Sequence, residues 1–411
     1  MISRYDCQQL DAADPLAHFR DEFVLPEGVI YLDGNSLGAL PKRTAQRVAQ
    51  AVQEEWGSGL IRSWNSAGWM DAPQRIGHKI AQLVGANAGE VIVADSTSVN
   101  LYKVLSAALH INKTKKVIVS EQDNFPTDLY MAQGLIAQLG HTHQLKLQTQ
   151  TQLLNAINDD TAVVMLTHIN YRTGRMHDMR AITQKAHAHG ALVIWDLAHS
   201  AGALPVELNA ANADFAIGCG YKYLNGGPGA PAFLFVAHRH LAVFTQPLSG
   251  WMGHAQPFAF DWRFEPALDM TKALVGSPPI LSMTALECGI DLWLEADMQA
   301  VRRKSLALSD LFMDLVAQRC AGFDLELVTP CSHDERGSQV SFTHAQGYAI
   351  MQALIAEGVI GDFRAPDILR FGFTPLYVRF VDVWDAVDRL RYILQTQAWQ
   401  NSAFQKRSKV T

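Results

Sequence analysis

Four stretches of the chain are apolar without interruption: Val91–Ala94, Ala162–Leu166 (AVVML), Leu192–Trp195 (LVIW) and Phe215–Ile217. Short unbroken apolar runs of this kind predict strands covered on both faces, as in a parallel sheet. Val117–Ser120 adds another, and Phe233–Val236 predicts a strand lying antiparallel at one edge. Between these runs, helical patterning covers about Gln74–Val84, Val99–His110, a segment ending near Leu139, and Met179–His189. Strands alternating with helices predict a mostly parallel sheet with crossover helices, an α/β fold.

The flanks read differently. Residues 1–30 predict an arm with a short helical piece at Asp11–Phe23, then a short strand at Ile30–Leu32 and a turn at Asp33–Ser36. Pro41 suits a first helical position, and Ala45, Val48, Val52 and Trp56 recur at helical spacing after it. Gly57–Trp69 (GSGLIRSWNSAGW) is too rich in glycine for a regular helix or a buried strand. Its Trp64 and Trp69 either line a pocket or pack over a domain junction. From Ser249 to Met270 the chain is aromatic and rich in Gly and Pro, with little period. A helix is expected over Ser282–Ala296, running on toward Val316. The last third predicts a smaller α+β domain, with strands near Leu325–Val328, Ser338–Thr343 and Leu369–Gly372 and helices near Ala345–Glu357 and Val381–Gln395. The polar tail Gln400–Thr411 is expected to fray. The domain plan is thus an arm and pocket loop (1–70), a large domain (71–280) and a small C-terminal domain joined to the arm (281–411).

Composition narrows the class. With 411 residues, 48% of them hydrophobic, the chain can bury one large core and a smaller satellite. A net charge of −6 spread along the chain, with only the short cluster Lys113–Lys116 (KTKK) basic, argues against nucleic-acid binding. The five cysteines (7, 219, 288, 320, 331) are odd in number and include no CxxC pair, which suits reduced thiols and no metal site. The opening MISRYDCQQLDAADPL lacks the apolar core of a signal peptide, and no stretch approaches the ~20 apolar residues of a membrane span. A cytoplasmic protein without membrane contact is expected.

The candidate chemistry lies in Ala191–Gly229. The LVIW strand ends in Asp196, with His199 three residues on; the next strand leads through Gly218-Cys219-Gly220 to Tyr221-Lys222-Tyr223 and Asn225-Gly226-Gly227-Pro228. An acid at one strand end and a lysine after the next are what a pyridoxal phosphate (PLP) site requires. The amine forms a Schiff base, and the carboxylate keeps the pyridine nitrogen protonated. The structural alternative is an Asp that caps a helix and a solvated lysine. Ser96-Thr97-Ser98, at a strand-to-helix turn, can hold a phosphate among unpaired N–H groups; alternatively Ser96 or Thr97 is an ordinary N-cap. Phe125 stands at a strand's C-terminal edge, where it could face a planar ring, or act as a staple while Thr127 or Asp128 caps the helix.

The motifs YLDGNSLG (31–38), LIRSWN (60–65), TSVNL (97–101), FPTD (125–128), WDLAHSAG (195–202), GYKYLNGGPG (220–229), SGWMGH (249–254), SPPIL (277–281) and RFGFTPLY (370–377) span nearly the whole chain. In them the sequence resembles the kynureninases of bacterial type, among the fold-type I PLP enzymes related to class V aminotransferases. The resemblance implies a large PLP-binding domain, a smaller α+β C-terminal domain and a homodimer whose active site is shared between subunits. It implies that Lys222 holds PLP, Asp196 pairs with the pyridine nitrogen, and His199 stands nearby. Phe125 would stack on the ring. Thr97, Ser98, Pro126, Thr127, Asp128, Thr167 and Tyr221 would complete the cofactor contacts, and Tyr221 could also relay a proton. Trp251 and Ser277 would reach the phosphate from the partner subunit. Arg370 would clamp the substrate's α-carboxylate, with Trp64 also on the substrate side; the alternative for Arg370 is a surface pairing with Asp362 or Asp367. The implied reaction is hydrolysis of L-kynurenine, or of 3-hydroxykynurenine, to anthranilate (or 3-hydroxyanthranilate) and L-alanine, in tryptophan catabolism or a biosynthetic route. Ser277, where some family members have Asn, and WGSGLIRSWN, where animal-type members carry a His-containing segment, favour plain kynurenine.

Two rivals are open to the sequence. A cysteine desulfurase or selenocysteine lyase would need a nucleophilic cysteine on a late loop, and Cys331 in TPCSHDERG has that context. A non-catalytic PLP-binding regulator would need an appended DNA-binding unit, for which neither terminus has room.

Overall fold

A computed structural model describes residues 2–407. Seven strands form the main sheet: β1 (Val91–Val93), β2 (Val117–Glu121), β3 (Gln144–Gln148), β4 (Thr161–Thr167), β5 (Leu192–Asp196), β6 (Phe215–Gly218) and β7 (Phe233–Val236). Their order is β1-β7-β6-β5-β4-β2-β3, and β7 runs antiparallel to both neighbours. The direction expected for Phe233–Val236 is therefore right, but its place is not. β1 takes the edge, and β7 is buried along its whole length between β1 and β6. β3 (QLKLQ) was not foreseen: it is a half-exposed edge strand, so only part of each face needs apolar cover.

Successive residues of the central strands feed opposite cores. Val193 and Trp195 join the cluster shared with the C-terminal third, whereas Ile194 joins the one under the Thr97–Ile111 and Pro126–Gln138 helices. Because the β4, β5 and β6 C-terminal ends lie side by side, Thr167 is opposite Asp196 in register, and Asp196 is opposite Ile217. That edge carries the chemistry-bearing side chains.

The C-terminal third builds a four-stranded antiparallel sheet from β8 (Glu326–Leu327), β9 (Gln339–Thr343), β10 (Asp362–Arg364) and β11 (Ile368–Gly372). The arm belongs to it structurally: Ile30–Tyr31 pairs in parallel with Val359–Ile360, and Arg4 bridges Asp385 at 2.7 Å. Several local expectations are corrected. The arm's helix is Arg4–Ala12, started by a Ser3–Asp6 capping box, and Ala17–Glu22 is a separate 3₁₀ segment. Of Gly57–Trp69, expected as a loop, the part through Ser66 continues a series of irregular helical turns that begins at Ala51, braced by Glu55, which binds Arg47 at 2.8 Å and Trp69 Nε1 at 2.9 Å. The helix expected to run from 282 toward 316 is two, Ile280–Glu295 and Met298–Arg319, divided by the N-cap Asp297. The tail is docked through residue 407: Tyr348 Oη donates to the Lys406 carbonyl, and Arg407 stacks over Tyr348 and Phe363. Residues 408–411 of that tail lie outside the described residues. Among those described, no helix is long and apolar enough to cross a membrane.

Gly289, inside the Ile280–Glu295 helix, lets that helix touch the backbone of the 219–226 loop. A Cβ there would lie 2.2 Å from the Leu224 carbonyl oxygen and 3.0 Å from that of Asn225. Gly289→Ala is thus expected to destabilise the fold by about 1–3 kcal/mol despite the better helix former. Urea denaturation checks this, and an unchanged or raised midpoint contradicts it.

Candidate functional site

The loop after β6 turns back on itself because its residues permit close approach. Gly226 N–H donates to the Gly220 carbonyl at 2.9 Å, and Asn225 N–H to the Lys222 carbonyl at 2.9 Å. A Cβ on Gly220 would strike the Pro231 carbonyl at 2.4 Å. Three outside elements hold the loop. Gly38 N–H reaches the Tyr221 carbonyl at 2.8 Å, Trp293 Nε1 the Tyr223 carbonyl at 2.6 Å, and Tyr223 Oη the Ser338 carbonyl at 3.1 Å. Lys222 is thereby aimed into a cavity of about 500 Å³ at the C-terminal edge of the sheet.

Thr97, Ser98, Phe125, Thr127, Asp128, Thr167, Asp196, His199, Tyr221 and Lys222, all singled out from sequence, line this cavity. Lys222 Nζ lies 2.9 Å from His199 Nε2 and 5.9 Å from the Phe125 ring centre. Burial lowers the lysine's pKa, Asp196 opposes, and the Arg370 and Arg364 charges reinforce the fall. The same causes hold His199 neutral: burial first, then the charges of Lys222, Arg370 and Arg364. Tyr221 is pushed up by burial, so its phenol keeps its proton.

Opposite the amine, Asp128 and Asp196 face one another. Burial, then the charge of Asp196, pushes Asp128 well above the carboxylate range; burial also raises Asp196, against a 2.7 Å hydrogen bond from Ala198 N–H. Asp128 Oδ2 is buried without a donor. Two carboxylates so placed call for a cationic N–H between or beside them, which is what a protonated pyridine ring supplies. At the other end, Ser96 caps the 15-residue Thr97–Ile111 helix by accepting from Val99 N–H, so Thr97 and Ser98 present that helix's first turn to the cavity. An anion is favoured there. Amine, acids and anion cradle thus fit PLP.

The remaining sequence candidates lie elsewhere. Pro126 opens the Pro126–Gln138 helix beside Phe125, itself 39% exposed. Trp251 and Ser277 are exposed and outside the cavity wall. Trp64 packs edge-on against Trp69, with ring centres 5.8 Å apart. Arg370 pairs with Asp362, as the structural alternative had it, but it is buried rather than on the surface. Sequence reasoning missed Asn124, which accepts from Thr167 Oγ1 at 2.6 Å and so orients it; its place in the strand-end segment before FPTD was the available signal. It also missed Tyr171, whose ring meets Phe125 edge-on at 5.3 Å, and Asp95, Ala198 and Cys219 in the cavity wall. Cys331 is exposed and is not a wall residue.

Known proteins resemble the chain at two levels. Among solved structures, the apo cysteine desulfurase of Thermococcus onnurineus NA1 matches 92% of this chain and 98% of its own at 18% identity, with a TM-score of 0.78. A cysteine desulfurase from Escherichia coli matches 93% of this chain and 98% of its own at 20% identity and a TM-score of 0.74. At such identities the likeness is one of fold, the fold-type I architecture. A profile of the DegT/DnrJ/EryC1/StrS aminotransferase family matches residues 59–209, and one of the kynureninase C-terminal domain matches residues 301–390. The kynureninase of Burkholderia pseudomallei (strain 1106a) is 58% identical over 417 aligned residues, covering 100% of both chains. That of Pseudomonas fluorescens is 56% identical over 416, again covering 100% of both. With more than half its residues shared from end to end, the chain belongs to the kynureninase family.

Proposed function

We propose that the protein hydrolyses L-kynurenine to anthranilate and L-alanine with PLP bound in the cavity. The observation that carries this reading is the placement of Lys222, its pKa lowered by burial, against His199 in a cavity also lined by Asp128 and Asp196, in a chain of this family. PLP, when bound, supplies the acceptor for electrons released at the substrate's α-carbon.

The residue roles are part of the proposal. Lys222 would hold the cofactor through Nζ and, once freed, accept the α proton, its lowered pKa suiting it as a base. Asp196 would fix the pyridine N–H, with His199 beside it. Phe125 would cover the ring, and Thr97, Ser98, Thr127, Asp128, Thr167 and Tyr221, with Pro126 shaping the turn, would complete the cradle. Tyr221, kept protonated, can donate to the phosphate and return a proton during alanine formation. Arg370 would receive the α-carboxylate. The exposure of Trp251 and Ser277 supports their serving a second subunit's cavity, as in a homodimer with shared sites. The desulfurase alternative has no such support, since Cys331 stands outside the cavity wall.

Anthranilate fluorescence on adding L-kynurenine to the PLP-loaded protein tests the reading. The wild type is expected to produce it, and Lys222→Ala to lose turnover by several orders of magnitude together with the borohydride-reducible link to PLP. No anthranilate from the wild type would overturn the function; a still-linked, active Lys222→Ala would overturn the assignment of Lys222.

Asp128 gives a prediction of opposite sign in the two states. Its folded pKa is raised, so the folded protein binds that proton more tightly than the unfolded chain. Stability is therefore lost as pH rises from the ordinary carboxylate range through the folded value. Asp128→Asn removes the penalty and should stabilise the PLP-free protein at pH 8 by about 1–3 kcal/mol, with little effect at pH 4, while weakening PLP binding. Urea midpoints at the two pH values and a PLP titration check this. A less stable PLP-free variant at pH 8 contradicts it.

A further inference from the structure

Arg370 is only 1% exposed, and nearly all its donors are spent. Nε binds Asp362 Oδ1 at 2.8 Å, Nη2 binds Asp362 Oδ2 at 2.5 Å and Ser36 Oγ at 2.8 Å, and Nη1 gives one hydrogen to the Tyr171 carbonyl at 2.7 Å. Of its five N–H groups, one remains for a ligand, so the guanidinium cannot by itself grip a carboxylate with two parallel hydrogen bonds. Its neighbour differs. Arg364, on the adjacent strand β10, spends only Nη2, on Asp362 Oδ2 at 2.7 Å and Ser36 Oγ at 3.2 Å. Its Nε is without a partner, and the side chain is 38% exposed. The two guanidiniums meet at Asp362 Oδ2 and Ser36 Oγ, and Arg370 Nη1 reaches the carbonyl of Tyr171, a residue of the cavity wall, so the pair stands directly behind that wall.

Asp362 explains how two cations share the place. It is 1% exposed, and its Oδ2 accepts from Ser36, Arg364 and Arg370 together. Two arginines and one carboxylate leave a single net positive charge, the complement of one carboxylate. Asp33 adds only part of a charge near neutral pH, because burial and Asp362 push it up to about 7.

We propose that Arg364 is a second substrate-contacting guanidinium, sharing with Arg370 the α-carboxylate of the amino-acid substrate, and that Asp362 and Ser36 are positioning residues for the pair. This rests on the reading of Arg370 as the carboxylate's receiver. One N–H comes from each arginine, so the fork that Arg370 cannot offer alone is assembled from two residues. Recognition then requires an anionic group at the α position, and an uncharged amide there gains nothing from Arg364.

The test uses the PLP-loaded enzyme, L-kynurenine as substrate, and the α-carboxamide of L-kynurenine as a competing ligand. Arg364→Gln is expected to raise KM for L-kynurenine at least about tenfold with kcat within about threefold of wild type, and to leave the carboxamide's inhibition constant and the PLP absorbance unchanged. Asp362→Asn should raise KM in the same direction, since both arginines lose their anchor. If Arg364→Gln loses PLP, Arg364→Lys decides by the same criterion, because it keeps the charge but not the planar donor edge. A KM within twofold of wild type overturns the proposal, as does an equal loss of affinity for acid and amide. If Arg370→Gln abolishes the preference for the acid while Arg364→Gln leaves it intact, the second contact is wrong and the reading of Arg370 stands. If Arg370→Gln also leaves that preference intact, the underlying reading fails with it.

Discussion

The geometry of the site depends on how the backbone of residues 219–226 is held. Lys222 has to leave a buried strand, turn sharply and still present its amine to the cavity. The peptide groups of that turn are fastened by Gly38 from the arm, Trp293 from the Ile280–Glu295 helix and, through Tyr223, by Ser338 from the small sheet. Each is a hydrogen bond worth only about 1 kcal/mol net. Their value lies in direction: three separate elements converge on one loop, and a catalytic amine misplaced by an ångström loses much of its effect. The glycines at 38, 220, 226 and 289 are the other half of the arrangement, since a side chain at any of them would occupy backbone space.

The electrostatics follow from that placement. Burial lowers the pKa of the amine and raises those of the two acids. Bringing them to one cavity, with the first turn of the Thr97–Ile111 helix at its wall, sets up a field that a molecule with matching charges satisfies. In the proposed roles, PLP would bring an anion for the helix N-terminus and a ring nitrogen for the acids, and an amino-acid substrate would bring a carboxylate for the arginines. The protein without its ligands therefore carries electrostatic tension, most visible in Asp128.

Much of this was legible in the sequence, for identifiable reasons. Asp196 and Lys222 follow unbroken apolar runs, and strand ends at a parallel sheet's C-terminal edge are where such groups must converge. The cavity-lining residues Thr97, Phe125 and Thr167 stand at similar strand ends. What was not legible depends on contacts between distant segments. Nothing local shows that β7 would be enclosed by β1, or that a polar stretch such as QLKLQ would pair at an edge. The break between the two long helices was signalled by Asp297, yet an apolar pattern continuing on both sides masked it. The pairing of Asp362 with Arg370 reads, from sequence, as a surface contact. Its burial arises only when Ser36, from the far end of the chain, closes over it.

That last contact bears on the order in which the molecule can be made. Ser36 and Gly38 are separated by one residue, and they reach Arg370 and the Tyr221 carbonyl respectively. The strand at Ile30–Tyr31, just before them, finds its partner only at Val359–Ile360. On the ribosome the strand at Ile30–Tyr31 precedes the main sheet and waits for its partner while about eight-tenths of the chain follows. The main sheet, whose strands lie between residues 91 and 236, can assemble long before. At that length the lysine loop still lacks Trp293 and Ser338, two of the three outside groups that hold it. A chain that stopped short of the small domain would keep Lys222 and Gly38 but lose the Ser338 carbonyl that receives Tyr223 and the strand that seats the arm, so the lysine loop is fully held only when the distant segments are all present.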